Sequence, residues 1–244
     1  MVTIEKLKKN NLLRYINNIS FLNVKVYQGT SGVALISKNL ETYLNIFNSY
    51  YYYEKKNIGE QKIILSDGIE DLTININLKK NESRIIKISD YYKKTNALKI
   101  ISCRIFNNDM PYYVPYFYSI VVDKKDNSSI THSSSFGNAL FNEKTESIIE
   151  GSFSKKLLKR SELILLTLFK YKKHIKNSIN LSIIELHKKS SITFKIDFLG
   201  ETCKINLKNF IKNLNDVDTY IIKIYGPATA NPYLLIDSET MFHI

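Results

Sequence analysis

The chain has 244 residues and 28.3 kDa, with 44% hydrophobic and 24% charged residues, so it is long enough to bury a core and too apolar for a disordered polyelectrolyte. Its formal charge of +12 comes from 35 basic and 23 acidic side chains, and only four of the basic residues (Arg14, Arg84, Arg104, Arg160) are arginine. Lys, Asn, Ile and Tyr are all abundant, which ties part of the charge to composition and weakens the step from a basic pI to nucleic acid.

In chain order, residues 3–19 space Ile4, Leu7, Leu12, Leu13 and Ile16 like a helix, and Phe21 to Tyr27 alternates like a strand. Gly29 to Gly32 reads as a turn. Residues 39–56 read as a helix that ends in the Tyr50–Tyr53 run. Strands are expected at 63–65, at 72–78 with strict alternation, at 97–106 and at 112–122, where Pro111 and Pro115 mark an edge or bend. Asp123 to Asn127 is a polar loop and Ser133 to Gly137 a second small-residue turn. A long helix is expected over 144–176, a short helix or strand and then a hairpin around Gly200-Glu201 over 179–206, a short helix over 207–214, and strands at 220–225 and 233–236. Without a linker, this pattern predicts one α+β domain with mixed or antiparallel sheets and two main helices.

Several chemistries lack their residues. Two cysteines, Cys103 and Cys203, make no disulfide framework and point to a reduced, cytoplasmic setting. The first residues lack a signal-peptide core, and the most apolar run, Leu163 to Phe169, is too short to span a bilayer, so no membrane role is expected. His132, His174, His187 and His243 show no metal-ligand spacing, hence no metal is expected. With 8 glycines and neither a phosphate loop nor a Gly-x-Ser-x-Gly elbow, nucleotide-binding and hydrolase signatures are missing.

Two segments echo each other. Ser31-Gly32-Val33-Ala34-Leu35 is followed by Glu41, Glu54 and Lys55; Ser135-Phe136-Gly137-Asn138-Ala139-Leu140 is followed by Glu146, Lys159 and Arg160. A glycine turn that lets backbone approach a ligand, then a helix carrying the chemistry, gives this spacing a physical sense.

On these residues, and on Ile149-Glu-Gly-Ser-Phe-Ser-Lys-Lys-Leu-Leu-Lys-Arg-Ser161, the chain resembles the YcaO family, which includes azoline-forming peptide cyclodehydratases. The resemblance covers about 22–56 and 110–170, with Tyr220 to Pro227 similar to a late family strand. It implies a pseudo-twofold internal repeat with halves of about 1–109 and 110–244, and an ATP site with magnesium held by paired Glu-x-x-Glu motifs. The residues it places at such a site are Ser31, Gly32, Glu54, Lys55, Ser135, Gly137, Glu146, Lys155, Lys156, Lys159 and Arg160. Yet no carboxylate lies between Gly151 and Ser161, and only Glu54 remains in the first half, while magnesium demands several oxygen ligands. The chain also ends without the proline-rich tail of ring-forming members.

The resemblance therefore implies a degenerate, non-catalytic subunit that partners another protein in modifying a ribosomally made peptide, with an acidic leader peptide as a further ligand and association into an oligomer. ATP and magnesium belong only to the alternative, an active divergent cyclodehydratase. A second alternative is a basic nucleic-acid-binding module. Eight basic residues between Lys155 and Lys176 face one acid, Glu162. The Tyr50–Tyr53 run with Tyr91, Tyr92, Tyr112 and Tyr113 offers stacking surfaces.

Overall fold

The computed structural model describes residues 29–47, 60–79, 82–107, 116–136, 146–147, 152–167, 176–186, 190–200, 202–211, 219–225, 229–237 and 240–243. The expected helix at 3–19, the strand at 21–27, the Tyr50–Tyr53 run, Glu54, Lys55, Tyr112, Tyr113 and Gly137 lie outside them.

The described residues are mostly β. In chain order the strands are β1 (Gly29–Ile36), β2 (Leu40–Phe47), β3 (Glu60–Ser66), β4 (Asp71–Asn77), β5 (Ser83–Lys87), β6 (Lys99–Asn107), β7 (Tyr116–Asp123), β8 (Ser128–His132) and β9 (Ser134–Phe136). They continue with β10 (Glu146–Ser147), β11 (Ser152–Phe153), β12 (Ser161–Thr167), β13 (Lys176–Glu185), β14 (Ser191–Leu199), β15 (Thr202–Asn206), β16 (Tyr220–Tyr225), β17 (Thr229–Ile236) and β18 (Thr240–His243). One helical turn, Lys155–Leu158, and two 3-10 turns, Ile88–Asp90 and Leu207–Asn209, complete the described elements. All strand pairs are antiparallel.

This corrects the α+β expectation with its two main helices. Residues 40–47 are a strand, and the described residues of 144–176 form β10, β11, the four-residue helical turn, β12 and the first residue of β13. The physical reason is that both segments carry apolar residues on two faces. In β2, Leu44 and Ile46 point inward and Tyr43 and Phe47 outward, so Leu40, Tyr43, Leu44 and Phe47 fall at helix-like intervals. In β12, Leu163 and Leu165 enter one core while Ile164 and Leu166 enter another, which turns a strand into an unbroken apolar run. Gly29 to Gly32 is likewise the start of β1, not a turn, and Gly200 joins β14 to β15 of a different sheet, not the arms of one hairpin.

Where alternation is strict, expectation and structure agree. β4 turns Leu72, Ile74 and Ile76 toward the core and Thr73, Asn75 and Asn77 to solvent. The β3–β4 hairpin closes through Asp67, whose carboxylate accepts from the amides of Ile69 and Glu70, and Gly68 takes φ +86° there.

The sheet orders disclose a repeat. One pair of sheets runs β4-β3-β6-β1-β9 and β5-β2-β7-β8; the other runs β14-β13-β16-β10 and β15-β12-β17-β18, with β11 also on β16. Apart from β9, which has no counterpart among the described strands, adding ten to a strand number in the first sandwich gives its counterpart in the second. β10 and β11 together stand for β1, since both pair with β16 as β1 pairs with β6. A 3-10 turn follows β5 and again β15. This repeat of strand order divides between residues 136 and 146. It does not match the Gly32 segment with the Gly137 segment, because Gly32 lies within β1.

Each sandwich has its own core. The first is built on Leu44, Ile46, Ile63, Leu65, Ile101 and Phe117; the second on Leu163, Leu165, Leu181, Ile183, Tyr220 and Leu234. A third cluster joins them: Val33 and Leu35 from the second face of β1, Leu40 and Val121, and Ile164, Leu166, Tyr233, Leu235 and Met241 from the second sandwich. Beside it β8 lies along β18, where the Met241 amide donates to Ser129 Oγ at 3.3 Å.

Gly32 serves this packing. A Cβ there would lie 2.9 Å from Phe117 Cζ and 3.4 Å from the Tyr233 hydroxyl, both fully buried side chains. Gly32→Ala is expected to destabilise the protein by about 1–3 kcal/mol through overpacking, read as a lower urea midpoint with unchanged slope.

Candidate functional site

The described residues among the site residues singled out in the sequence lie on β1, β9, β10 and on or just after the helical turn before β12. Ser31 and Gly32 are buried within β1, and the backbone of Ser31 pairs with both Arg104 and Ser134. Ser135 sits in β9 opposite Thr30, and Glu146 begins β10 opposite Tyr225. Lys155, Lys156, Lys159 and Arg160 lie on or just after the helical turn that precedes β12. Among the described residues no group of histidine, cysteine and carboxylates could hold a metal. No helix among them is long and apolar enough to cross a membrane.

Other sequence candidates are structural. Tyr92 is buried and its hydroxyl donates to the carbonyls of Leu65 and Glu70, pinning the segment after β5 to the β3–β4 hairpin. Ser133 Oγ accepts from the Phe117 amide. Cys103 and Cys203 are free and buried; burial pushes the Cys203 thiol up to about 11 and Cys103 higher still, which leaves both as unreactive thiols. Burial also pushes the Glu41 carboxyl up. However, hydrogen bonds from Lys94 and Ser89, with the Lys94 charge, more than offset it and leave the group below its ordinary value. Lys94 Nζ stands 2.9 Å from Glu41, and the Ser89 amide donates to the other oxygen at 3.1 Å.

A basic end is nevertheless assembled. Ser154 Oγ accepts from the Leu157 amide and caps the turn; Leu157 and Leu158 anchor it in the second core. The 3-10 turn Leu207–Asn209 leaves β15 where Asn206 pairs with Glu162, at the start of β12, and its Leu207 enters the same core. Both turns therefore sit at one end of β12. They bring Lys155, Lys156, Lys159, Arg160, Lys204 and Lys208 around two acids. Those acids are engaged: Lys204 pairs with Glu162 at 3.2 Å, and Arg160 grips Asp237 through Nε and Nη2 across the β12–β17 edge. The Asp237 interaction raises the Arg160 guanidinium above its ordinary value and holds the Asp237 carboxyl below its own. Lys156, Lys159 and Lys208, all exposed, have no ion-pair partner among the described residues.

The counterpart end of the first sandwich, around Ile88–Asp90, differs. Its Lys94 is engaged by Glu41, and Asp90 adds an exposed acid. The sequence showed the 155–160 lysines but not Lys208, which only the β12–β15 pairing brings beside them.

Sequence reasoning also missed the outer face of β5-β2-β7-β8, where Tyr116 and Tyr118 are each 42% exposed. The available signal was the Tyr-Phe-Tyr start of β7, apolar on both faces. No family model and no curated protein matches the chain.

Because the Glu41 pKa is lowered, its contribution to stability is present above the ordinary value of 4.5 and is lost as pH falls through the folded value. Glu41→Gln is expected to lower stability by about 1 kcal/mol at neutral pH, and the deficit relative to wild type should shrink toward about pH 3.5, read from urea midpoints at the two pH values.

Proposed function

We propose that the chain is a non-catalytic binding module whose ligand is a nucleic acid. The observation that supports this reading is the basic end of β12, where Glu162 and Asp237 are consumed by Lys204 and Arg160 while Lys156, Lys159 and Lys208 project with no counter-charge among the described residues. Three lysines on two short, core-anchored turns suit a run of phosphates: each contact releases a counterion, and an ammonium needs no fixed bidentate geometry. Free, buried thiols agree with a reducing compartment, and the cytoplasm is the location this reading assigns.

A partner role in peptide modification is the second reading. The resemblance to the YcaO family carries it, and an acidic leader peptide would meet the same lysines. Its weakness is that strands at 40–47 and 161–167 occupy the segments where the resemblance implies helices. Magnesium-dependent ATP turnover by the isolated chain would favour the enzyme alternative instead.

The test is binding to a fluorescent oligonucleotide across a salt series. Replacing Lys156, Lys159 and Lys208 together by alanine is expected to reduce the slope of log K against log salt by about 2–3, because each lost phosphate contact removes about 0.7–0.9. An unchanged slope, or binding of an acidic peptide in preference to nucleic acid, would reject the reading.

A further inference from the structure

The outer face of β5-β2-β7-β8 is apolar and aromatic, yet open. Strand register lays it out in rows. Ser83, Phe47 and Tyr116 form one row; Ile85, Asn45, Tyr118 and His132 the next; Lys87, Tyr43, Ile120 and Ile130 the third; Val122 and Ser128 lie beyond. Ile85 and Ile130 are 64% and 63% exposed. Phe47 and Tyr118 stack at 5.6 Å with 17° between their planes, so two rings already lie nearly parallel across neighbouring strands. A contiguous open patch of this kind marks an interaction surface.

Its charge favours one occupant. The carboxylate on this face, Glu41, sits at its far end, almost buried and paired with Lys94. The other described residues of the face are aromatic, aliphatic, amide or hydroxyl, with Lys87 and His132 as the ionisable groups besides tyrosine. Rings that accept a base on their faces and an exposed lysine at the margin for a phosphate are components of single-strand recognition. A duplex keeps its bases stacked inside and offers these rings nothing.

We infer that this face binds single-stranded nucleic acid by stacking bases on Tyr43, Tyr116 and Tyr118. The inference rests on the nucleic-acid reading and names its substrate class. It uses a surface separate in sequence and sheet from the basic end, so the two are separable by mutation.

The experiment measures fluorescence anisotropy of an oligothymidine of about 15 nucleotides and of a duplex of equal length, within the range of single-strand site sizes. The proteins are wild type, Tyr118→Ala, Tyr118→Phe, the Tyr116→Ala/Tyr118→Ala double variant and the triple lysine variant. Tyr118→Ala is expected to weaken single-strand binding roughly tenfold and the double variant further, with duplex binding unchanged, whereas Tyr118→Phe keeps the ring and the affinity. Both tyrosines are partly exposed, and an unchanged thermal midpoint confirms folding.

Equal single-strand affinity in wild type and Tyr118→Ala overturns the stacking inference while leaving the lysine-based reading intact. If wild type binds neither oligonucleotide, the nucleic-acid reading falls and this inference with it. A wild-type dimer by sedimentation that the double variant abolishes, without change in nucleic-acid affinity, assigns the face to a second copy and also overturns the inference.

Discussion

The third apolar cluster is the contact on which the arrangement depends. Two sandwiches of like topology would each be complete with a single core. Here β1 also buries Val33 and Leu35 on its second face, and the sheet of β12, β17 and β18 buries Ile164, Leu166, Tyr233, Leu235 and Met241 against them. Fully burying a large aliphatic or aromatic side chain is worth about 1.5–3 kcal/mol, so this cluster rivals the cores it joins. It also imposes a local cost in freedom: Gly32 has room for no side chain between Phe117 and Tyr233.

That constraint explains what could and could not be read from the chain. β4, with its strict alternation, was evident, as were the middle of β3, β16 and the end of β17. β12 was not. A strand covered on both sides has no polar beat, and Leu163 to Leu166 with flanking lysines imitates a helix. β2 failed in the other direction, because its solvent-facing positions hold Tyr43 and Phe47 instead of polar residues. An open apolar face and a doubly buried sheet distort the same signal for opposite reasons.

The basic end shows a similar limit. Counting charge along 155–176 gave a large excess on a presumed single helix face. In the structure Arg160 and Lys204 are neutralised by Asp237 and Glu162, and the exposed remainder is completed by Lys208 from a 3-10 turn that follows some fifty residues later. Charge that matters to a ligand is what remains after the protein's own ion pairs, and pairing across sheets is invisible to a linear count.

The duplication has an asymmetric outcome. By topology the sheet of β2 corresponds to the sheet of β12. The β12 sheet spends both faces inside the molecule, one on its own sandwich and one on the junction. Its twin spends one, since Leu40, Leu44, Ile46, Phe117 and Val121 all lie on its inward side. Joining the two modules in one chain thus leaves, among the described residues of these two sheets, one open face rather than two. A protein built this way is monovalent for whatever that face engages, and a second site of the same kind would require a second molecule.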